Sequence, residues 1–219
     1  LILLGARDAH VLPGTLMIVA CMTAPAFRLK PCSPITSPRQ PLGSFPPYEA
    51  GSAMSDVLTI HEFSDDFAVH FRDINAEWIN AMFRLEETDR DVLENPRAKI
   101  IDAGGVILFV EASGLGIVGA CALQKTGATS YELTKMGVRE PARGMKAGVF
   151  LLSAAIDRAR SLGAEPLYLL TNAKCAAAIH LYEKLGFQHD AEIMARYGAR
   201  YERCDVAMRY HAEALQQAT

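Results

Sequence analysis

The sequence predicts a single α/β domain built around a mixed sheet. From residue 54 onward, apolar residues alternate at every second position in some segments and recur at helical spacing in others. The segments follow one another as strand, helices, hairpin, strand, helix, strand, helix, strand. This order favours an antiparallel meander followed by a βαβ-like unit.

The first elements of the domain are predicted as a strand and two helical segments. Residues 57–63 alternate as a strand does. Residues 67–83 carry apolar side chains at helical spacing, and residues 89–95 give a further turn of helix. That turn ends before Pro96, because proline disfavours the helical conformation of the residue that precedes it.

The middle of the domain is predicted as a hairpin and a third strand. Residues 105–111 and 117–124 are both apolar, and Ser113-Gly114 between them is a plausible turn. Residues 131–138 form the next predicted strand.

The last part alternates between helices and strands. Residues 149–162 have an apolar helical stripe that Gly163 closes, and residues 166–171 form a short apolar strand. Residues 174–185 form the next predicted helix, and residues 204–210 alternate as a final strand.

Composition excludes several classes of function. A net charge of −3 and an isoelectric point near 6.1 argue against a nucleic-acid partner bound by bulk electrostatics. No apolar run reaches the ~20 residues of a membrane-spanning helix. The five cysteines are scattered and form no C-x-x-C pair, a pattern typical of reduced thiols in a cytoplasmic protein. The scattered histidines predict no metal site.

The composition changes near residue 54. Eight of the eleven prolines lie within the first 47 residues, and such a density disfavours packed elements. We interpret residues 1–53 as a disordered extension, or as sequence upstream of a misassigned start. Residues 16–22 form a short apolar run, but no basic segment precedes it, which disfavours a secretory signal. The domain is expected to span residues 54–213, with a short tail at 214–219.

The loop at residues 138–148 carries the strongest functional signal. It lies between a strand end and a helix start, where backbone N–H groups and the helix dipole favour an anion. Arg143 and Lys146 add two cations there. A pyrophosphate is the natural ligand for this arrangement, although an ordinary turn with two glycines is the plainer reading.

Two motifs make the anion-binding reading specific. Arg143-Gly-Met-Lys-Ala-Gly148 resembles the R/Q-x-x-G-x-G/A signature of the GNAT acetyltransferases. Leu181-Tyr-Glu-Lys-Leu-Gly-Phe187 resembles the second signature of the family, in the expected order. The resemblance covers residues 56–210. Weaker parallels to a common bacterial branch lie at residues 201–208 and in the scattered residues Trp78, Glu86, Asp89, Pro96, Gly104 and Gly105.

The resemblance implies the GNAT fold, in which a mostly antiparallel mixed sheet is flanked by helices and acetyl-CoA binds between splayed central strands. It also implies acetyl-CoA as cosubstrate, with no metal. The residues that it assigns to acetyl-CoA binding are Met136, Gly137, Val138, Arg143, Gly144, Met145, Lys146, Ala147, Gly148 and Asn172.

The sequence departs from the family pattern at two of these positions. Lys146 stands where glycine is usual, and its side chain must either point away from the diphosphate or contact it. Cys175 stands where many members carry asparagine, so Asn172 is the candidate for a similar role three residues earlier.

The resemblance also implies the groups that transfer protons. The family tyrosine that protonates the departing thiolate corresponds to Tyr182, for which a core position is the alternative. Glu132 matches the general base of one branch, although it also suits a solvent-facing strand position. Glu86 and water are the other candidates for the base.

The expected activity is acetyl transfer from acetyl-CoA directly to an amine, by a cytoplasmic enzyme that is a monomer or a homodimer. The acceptor is a small molecule or a peptide, and neither nucleic acid nor membrane is an expected partner. A non-catalytic acyl-CoA-binding regulatory module is the alternative. A nucleotide-binding domain is disfavoured because G-x-x-x-x-G-K-[ST] is absent, and covalent catalysis by Cys175 because no histidine partner is evident.

Overall fold

The computed structural model describes residues 57–142 and 144–212. The expected N-terminal extension, Arg143 and the expected tail at 214–219 lie outside these residues. The strands of the described part are β1 Leu58–Glu62, β2 Val106–Ala112, β3 Gly116–Lys125, β4 Tyr131–Val138, β5 Leu167–Thr171, β6 Phe187–His189 and β7 Val206–Tyr210. Its α-helices are α1 Ala68–Met82, α2 Glu87–Glu94, α3 Ala147–Ser161, α4 Ala176–Lys184 and α5 Ala191–Tyr197.

The strands form one mixed sheet, as the sequence predicts. The strand order is β1-β2-β3-β4-β5-β7-β6. All neighbouring strands run antiparallel except β4 and β5, which are parallel and joined through α3. The predicted meander and βαβ-like unit are therefore confirmed.

Each face of the sheet carries its own apolar core. Helix α3 packs Leu151, Leu152 and Ile156 on one face, together with alternate side chains of β2, β3 and β4. Helix α1 packs Phe71 and Ile74 on the other face. Because both faces are covered, β2 is buried along nearly its whole length. Each fully buried aliphatic side chain of this kind contributes about 1.5–3 kcal/mol.

The sequence did not predict α5 and did not set β6 apart as an element. Helix α5 has seven residues, of which only Ile193 is buried, so it shows no apolar stripe. It begins because the Asp190 side chain accepts the backbone N–H groups of Glu192 and Ile193, at 2.8 and 2.9 Å. Strand β6 has three residues, two of them exposed, which is too short for alternation to appear.

Smaller differences lie at element ends. Helix α3 begins at Ala147, two residues before the predicted start, and β7 begins at Val206, two residues after it. Within the described residues, no helix is both long and apolar enough to cross a membrane.

Candidate functional site

The two parallel strands at the centre of the sheet separate. Residues 131–133 of β4 pair with residues 167–169 of β5, and no further pair follows. Since β4 continues to Val138, the edge of its second half that faces β5 has no strand partner among residues 57–142 and 144–212. The result is a cleft of about 970 Å³, counting its open mouth.

The second half of β4 turns backbone groups into this cleft. The N–H of Arg139 donates to Val118 of β3 at 2.6 Å, so that residue faces β3. Because successive residues of a strand present their N–H and C=O groups to opposite sides, those of Val138 and Met136 face the cleft. These groups are oriented to pair with an extended ligand, and the predicted ligand binding by residues 136–138 stays a prediction.

Gly137 lies between these two residues and allows a close contact from the other side. A Cβ atom on Gly137 would lie 2.6 Å from Cδ1 of Trp78, so the indole of α1 can pack here only against glycine. Trp78 donates through Nε1 to the side chain of Asn75 at 2.9 Å, which fixes the ring. The strand and the helix thus form one wall of the cleft, where Trp78 is among the lining residues.

The loop between β4 and α3 is the loop for which the sequence predicts an anion site. Gly144 has φ +82°, and Lys146, just before the helix, has φ +59°. Lys146 therefore occupies a left-handed position that glycine adopts without strain, and its side chain is exposed. The first N–H groups of α3 have no acceptor within the helix, and the helix dipole adds partial positive charge.

The space beside the two glycines of the loop is open. A Cβ atom at Gly148 would meet its nearest neighbours, Leu181 and Val138, at 3.7 and 3.9 Å, and one at Gly144 would meet nothing within 4 Å. Gly148 lines the cleft. Of the predicted phosphate-binding residues, the structure brings Gly144 to Gly148 together at the N-terminus of α3.

Tyr182 lies in the wall opposite β4. Its side chain is only 8% exposed, packs edge-to-face on Phe187 with ring centroids 5.9 Å apart, and lines the cleft. Burial raises the pKa of the Tyr182 hydroxyl, so the phenol keeps its proton at neutral pH. The role of Tyr182 as a proton donor stays a prediction.

Asn172 is engaged within the protein. Its Oδ1 accepts the N–H of Lys174 at 3.0 Å and caps the short turn that leads into α4. Its Nδ2 donates to the carbonyl oxygen of Arg203 at 2.6 Å. Asn172 also lines the cleft, and its role toward a ligand stays a prediction.

Cys175 is a second lining residue of the α4 side. Burial raises the pKa of its thiol, which therefore stays protonated at neutral pH. This environment does not favour a nucleophilic role. No three metal-ligating side chains of the described residues cluster as a metal ion would require.

Glu132 lies behind the wall of the cleft rather than in it. Its side chain is 1% exposed and accepts a hydrogen bond from Nη1 of Arg200 at 2.7 Å. Its Oε1 has no hydrogen-bond partner among the described residues. Burial raises the pKa of Glu132, and the positive charges of Arg200 and Lys135 offset this only in part. A base with a raised pKa is suited to work near neutral pH, provided that an intervening group carries the proton from the cleft.

A buried ion-pair network closes one end of the cleft. Asp89 is fully buried at the start of α2 and accepts Nζ of Lys135 at 3.0 Å. Two nitrogens of Arg203 bind its two oxygens, Nη1 at 2.7 Å and Nη2 at 2.9 Å. Glu86 accepts Nη1 of Arg203 at 2.8 Å. The network therefore fastens α2, β4 and the segment before β7 to one another.

A bulge in β4 supplies the lysine of this network. The pairing of β3 with β4 shifts register between Ala120 and Ala122, and Lys135 has φ +51°. The extra residue turns the Lys135 side chain toward α2, where it is buried. Sequence alternation could not predict this, because a bulge changes the face to which later residues point.

Glu86, an alternative base in the sequence analysis, has a structural role. It is the N-cap of α2, forms a capping box with Asp89, and pairs with Arg203. Like Glu132, it is not among the residues that line the cleft.

We expect Asp89→Asn to lower the free energy of unfolding by about 3 kcal/mol, because Lys135 would remain buried without its counter-charge and Arg203 would keep only Glu86. Burial alone would raise the pKa of Asp89, but the hydrogen bonds and charges of Arg203 and Lys135 outweigh burial and lower it. The stabilisation is therefore present above about pH 4 and is lost as the pH falls through the lowered pKa.

Urea titrations from pH 7 to pH 3 measure this effect. The difference in free energy of unfolding between the unaltered protein and Asp89→Asn should shrink in acid. Asp91→Asn is the matched control, because Asp91 lies on the same helix in an exposed pair with Lys99. Equal stabilities of Asp89→Asn and Asp91→Asn at pH 7 would contradict the assigned role of the network.

Known proteins resemble this chain in sequence and in fold. The Acetyltransferase (GNAT) family model matches residues 71–187. No curated protein matches the chain. Among solved structures, a GNAT acetyltransferase of Staphylococcus aureus Mu50 superposes with a TM-score of 0.63 at 19% identity, covering 70% of this chain and 98% of its own.

Two further neighbours were solved with ligands. The Salmonella typhimurium protein yncA, with its cofactor acetyl-CoA, gives a TM-score of 0.54 at 20% identity over 70% of this chain and 92% of its own. Spermidine N-acetyltransferase from Vibrio cholerae, in complex with CoA and spermine, gives 0.54 at 19% identity over 71% and 95%. The predicted GNAT fold is thereby confirmed.

Proposed function

The chain belongs to the GNAT family of acetyltransferases, and from that premise we propose that it transfers the acetyl group of acetyl-CoA directly to an amine. The observation that carries the proposal is the cleft between β4 and β5. Its inward backbone groups at Met136 and Val138 suit the amide-rich pantetheine arm. The N-terminus of α3, at the loop of Gly144–Gly148, suits the diphosphate.

Transfer requires the amine to lose a proton, the thioester carbonyl to be polarised, and the departing sulfur to gain a proton. A backbone N–H of β4 that faces the cleft is suited to polarise the carbonyl. Tyr182, which lines the opposite wall, donates its proton as the carbon–sulfur bond breaks. The carbon–nitrogen bond forms in the same exchange, so the products are a thiol and an amide.

Glu132 is the proposed acceptor of the amine proton. It is buried behind the wall, so the proton reaches it through an intervening group such as a water molecule. Its raised pKa makes it a stronger base than an exposed glutamate, while the pairing with Arg200 holds its orientation. Glu132 thus works as a base, and the ion pair positions it.

Thiol release from acetyl-CoA in the presence of a panel of amines tests the proposal. We expect amine-dependent release whose rate falls in acid as Glu132 becomes protonated, and we expect Glu132→Gln to flatten that acidic limb. Calorimetry of acetyl-CoA binding is the control. Tight binding without release for any amine would favour the non-catalytic regulatory module instead, and an unchanged pH profile in the variant would remove Glu132 from the mechanism.

A further inference from the structure

Arg203 is a charged group held firmly in the wall of the cleft. Its guanidinium carbon lies 5.3 Å from the ring centroid of Tyr201 and 5.8 Å from that of Phe83. Both aromatic residues line the cleft together with Arg203. The side chain of Arg203 is 18% exposed, so most of it is sealed between these rings and the ion-pair network. A guanidinium fixed in this way can orient a ligand.

The hydrogen bonds of Arg203 leave one edge of the guanidinium unused. Arginine has five N–H donors in a plane. Nη1 donates to Glu86 and to Asp89, and Nη2 donates once, to Asp89. The N–H of Nε and the second N–H of Nη2 have no acceptor among the described residues. These two donors lie side by side, in the geometry that binds the two oxygens of a carboxylate.

The Nε atom of the unused edge is not buried without a partner. In the described part of the chain, the buried polar side-chain atoms without a partner belong to Glu132 and Arg158, not to Arg203. Asp89 and Glu86, which take the other donors, are not among the lining residues, whereas Arg203 is. Nε of Arg203 is therefore accessible, in a residue that lines the cleft.

The charges around the cleft favour the same ligand. The charged residues that line it in the described part of the chain are Lys135 and Arg203, and no carboxylate lines it. Asp89 and Glu86 lie behind them and are already paired. A polycation would find no acidic partner here. Since the two cations and two carboxylates balance, selectivity comes from the oriented donors and not from excess charge.

We propose that the acceptor is an amine that also carries a carboxylate, and that the free edge of Arg203 binds this carboxylate. The proposal rests on the acetyl transfer proposed above. Phe83 and Tyr201, which flank the guanidinium, frame the remainder of the acceptor. Amino acids are the simplest compounds of this class.

The test compares each carboxylate-bearing amine with the same amine lacking the carboxylate. Suitable pairs are phenylalanine with phenethylamine, leucine with isoamylamine, and 4-aminobutyrate with propylamine, and spermidine represents the polycations. For the best pair, we expect kcat/KM to be about tenfold to a hundredfold higher for the carboxylated member, the worth of one charge-assisted bidentate contact. Spermidine should be a poor acceptor.

Arg203→Lys should abolish this preference within each pair, chiefly by raising KM for the carboxylated member. Arg209→Lys is the matched control, because Arg209 pairs with the exposed Glu165 on the surface and does not line the cleft. The comparison of pairs in the unaltered protein stands even if Arg203→Lys does not fold.

Binding separates this inference from the proposed activity. Calorimetry on the CoA-loaded protein measures the affinity for the N-acetylated form of each compound in a pair. Stronger binding of carboxylated compounds without any thiol release would support the Arg203 site and contradict acetyl transfer. Thiol release with no preference for the carboxylated member of any pair, in rate or in binding, would overturn the Arg203 site and leave acetyl transfer standing.

Discussion

A protein with valine at both Gly144 and Gly148 should not bind acetyl-CoA. Gly148 lines the cleft at the first turn of α3, and the space beside it is open. Valine side chains at the two positions would occupy the path by which a diphosphate approaches the backbone N–H groups of the loop. Calorimetry with acetyl-CoA measures the loss.

Backbone strain is the competing explanation, because Gly144 has φ +82°. A β-branched residue in that conformation costs of order 1–3 kcal/mol wherever it lies. Gly114→Val is therefore the matched control: Gly114 has φ +78° and lies in the turn between β2 and β3, where a Cβ atom would meet nothing within 4 Å. Gly114→Val should lose similar stability and keep full affinity for acetyl-CoA.

Gly148→Ala separates the two effects further. Its Cβ atom would make only ordinary contacts, at 3.7 Å or more, so the folded protein accommodates it. We expect this single change to weaken acetyl-CoA binding without lowering the melting temperature. Unaltered affinity in the folded double variant would remove the basis for placing acetyl-CoA in this cleft.

The parts of the site that the sequence predicted well are local ones. The loop of Gly144–Gly148 and the helix that carries Tyr182 are each encoded by a few neighbouring residues, so their order along the chain identifies them. The separation of β4 from β5 follows from the family resemblance and not from alternation, because both strands are buried on every residue of the pairing region. The motifs that carry the family resemblance, and not the strand pattern, therefore predicted this separation.

The acceptor end of the cleft could not be predicted in the same way. Asp89 and Arg203 are 114 positions apart, and nothing in their immediate neighbours indicates that they pair. The bulge at Lys135 is equally hidden, since it depends on the register of β3 against β4. The sequence marks Asp89 and residues 201–208 as similar to the family. It does not indicate what they do, because their ion pairs form only in the folded protein.

Tyr182→Phe should lower kcat by roughly tenfold to a thousandfold, while acetyl-CoA affinity changes little. The phenylalanine ring retains the packing on Phe187 and the place in the cleft wall, and only the hydroxyl is lost. Since burial raises the pKa of Tyr182, its proton is present throughout the neutral range, and its removal affects kcat at every pH there. Steady-state kinetics with a saturating amine measures this loss.

A purely structural tyrosine would behave differently, and the sheet offers one for comparison. Tyr131 is buried at the start of β4, and its hydroxyl donates to the carbonyl oxygen of Gly104 at 3.4 Å. Tyr131→Phe should cost up to about 1 kcal/mol of stability and leave kcat intact. If Tyr182→Phe shows the same pattern, Tyr182 is a core residue and another group protonates the thiolate. If only Tyr182→Phe loses turnover, while both variants melt alike and bind acetyl-CoA equally, the Tyr182 hydroxyl acts in the transfer itself.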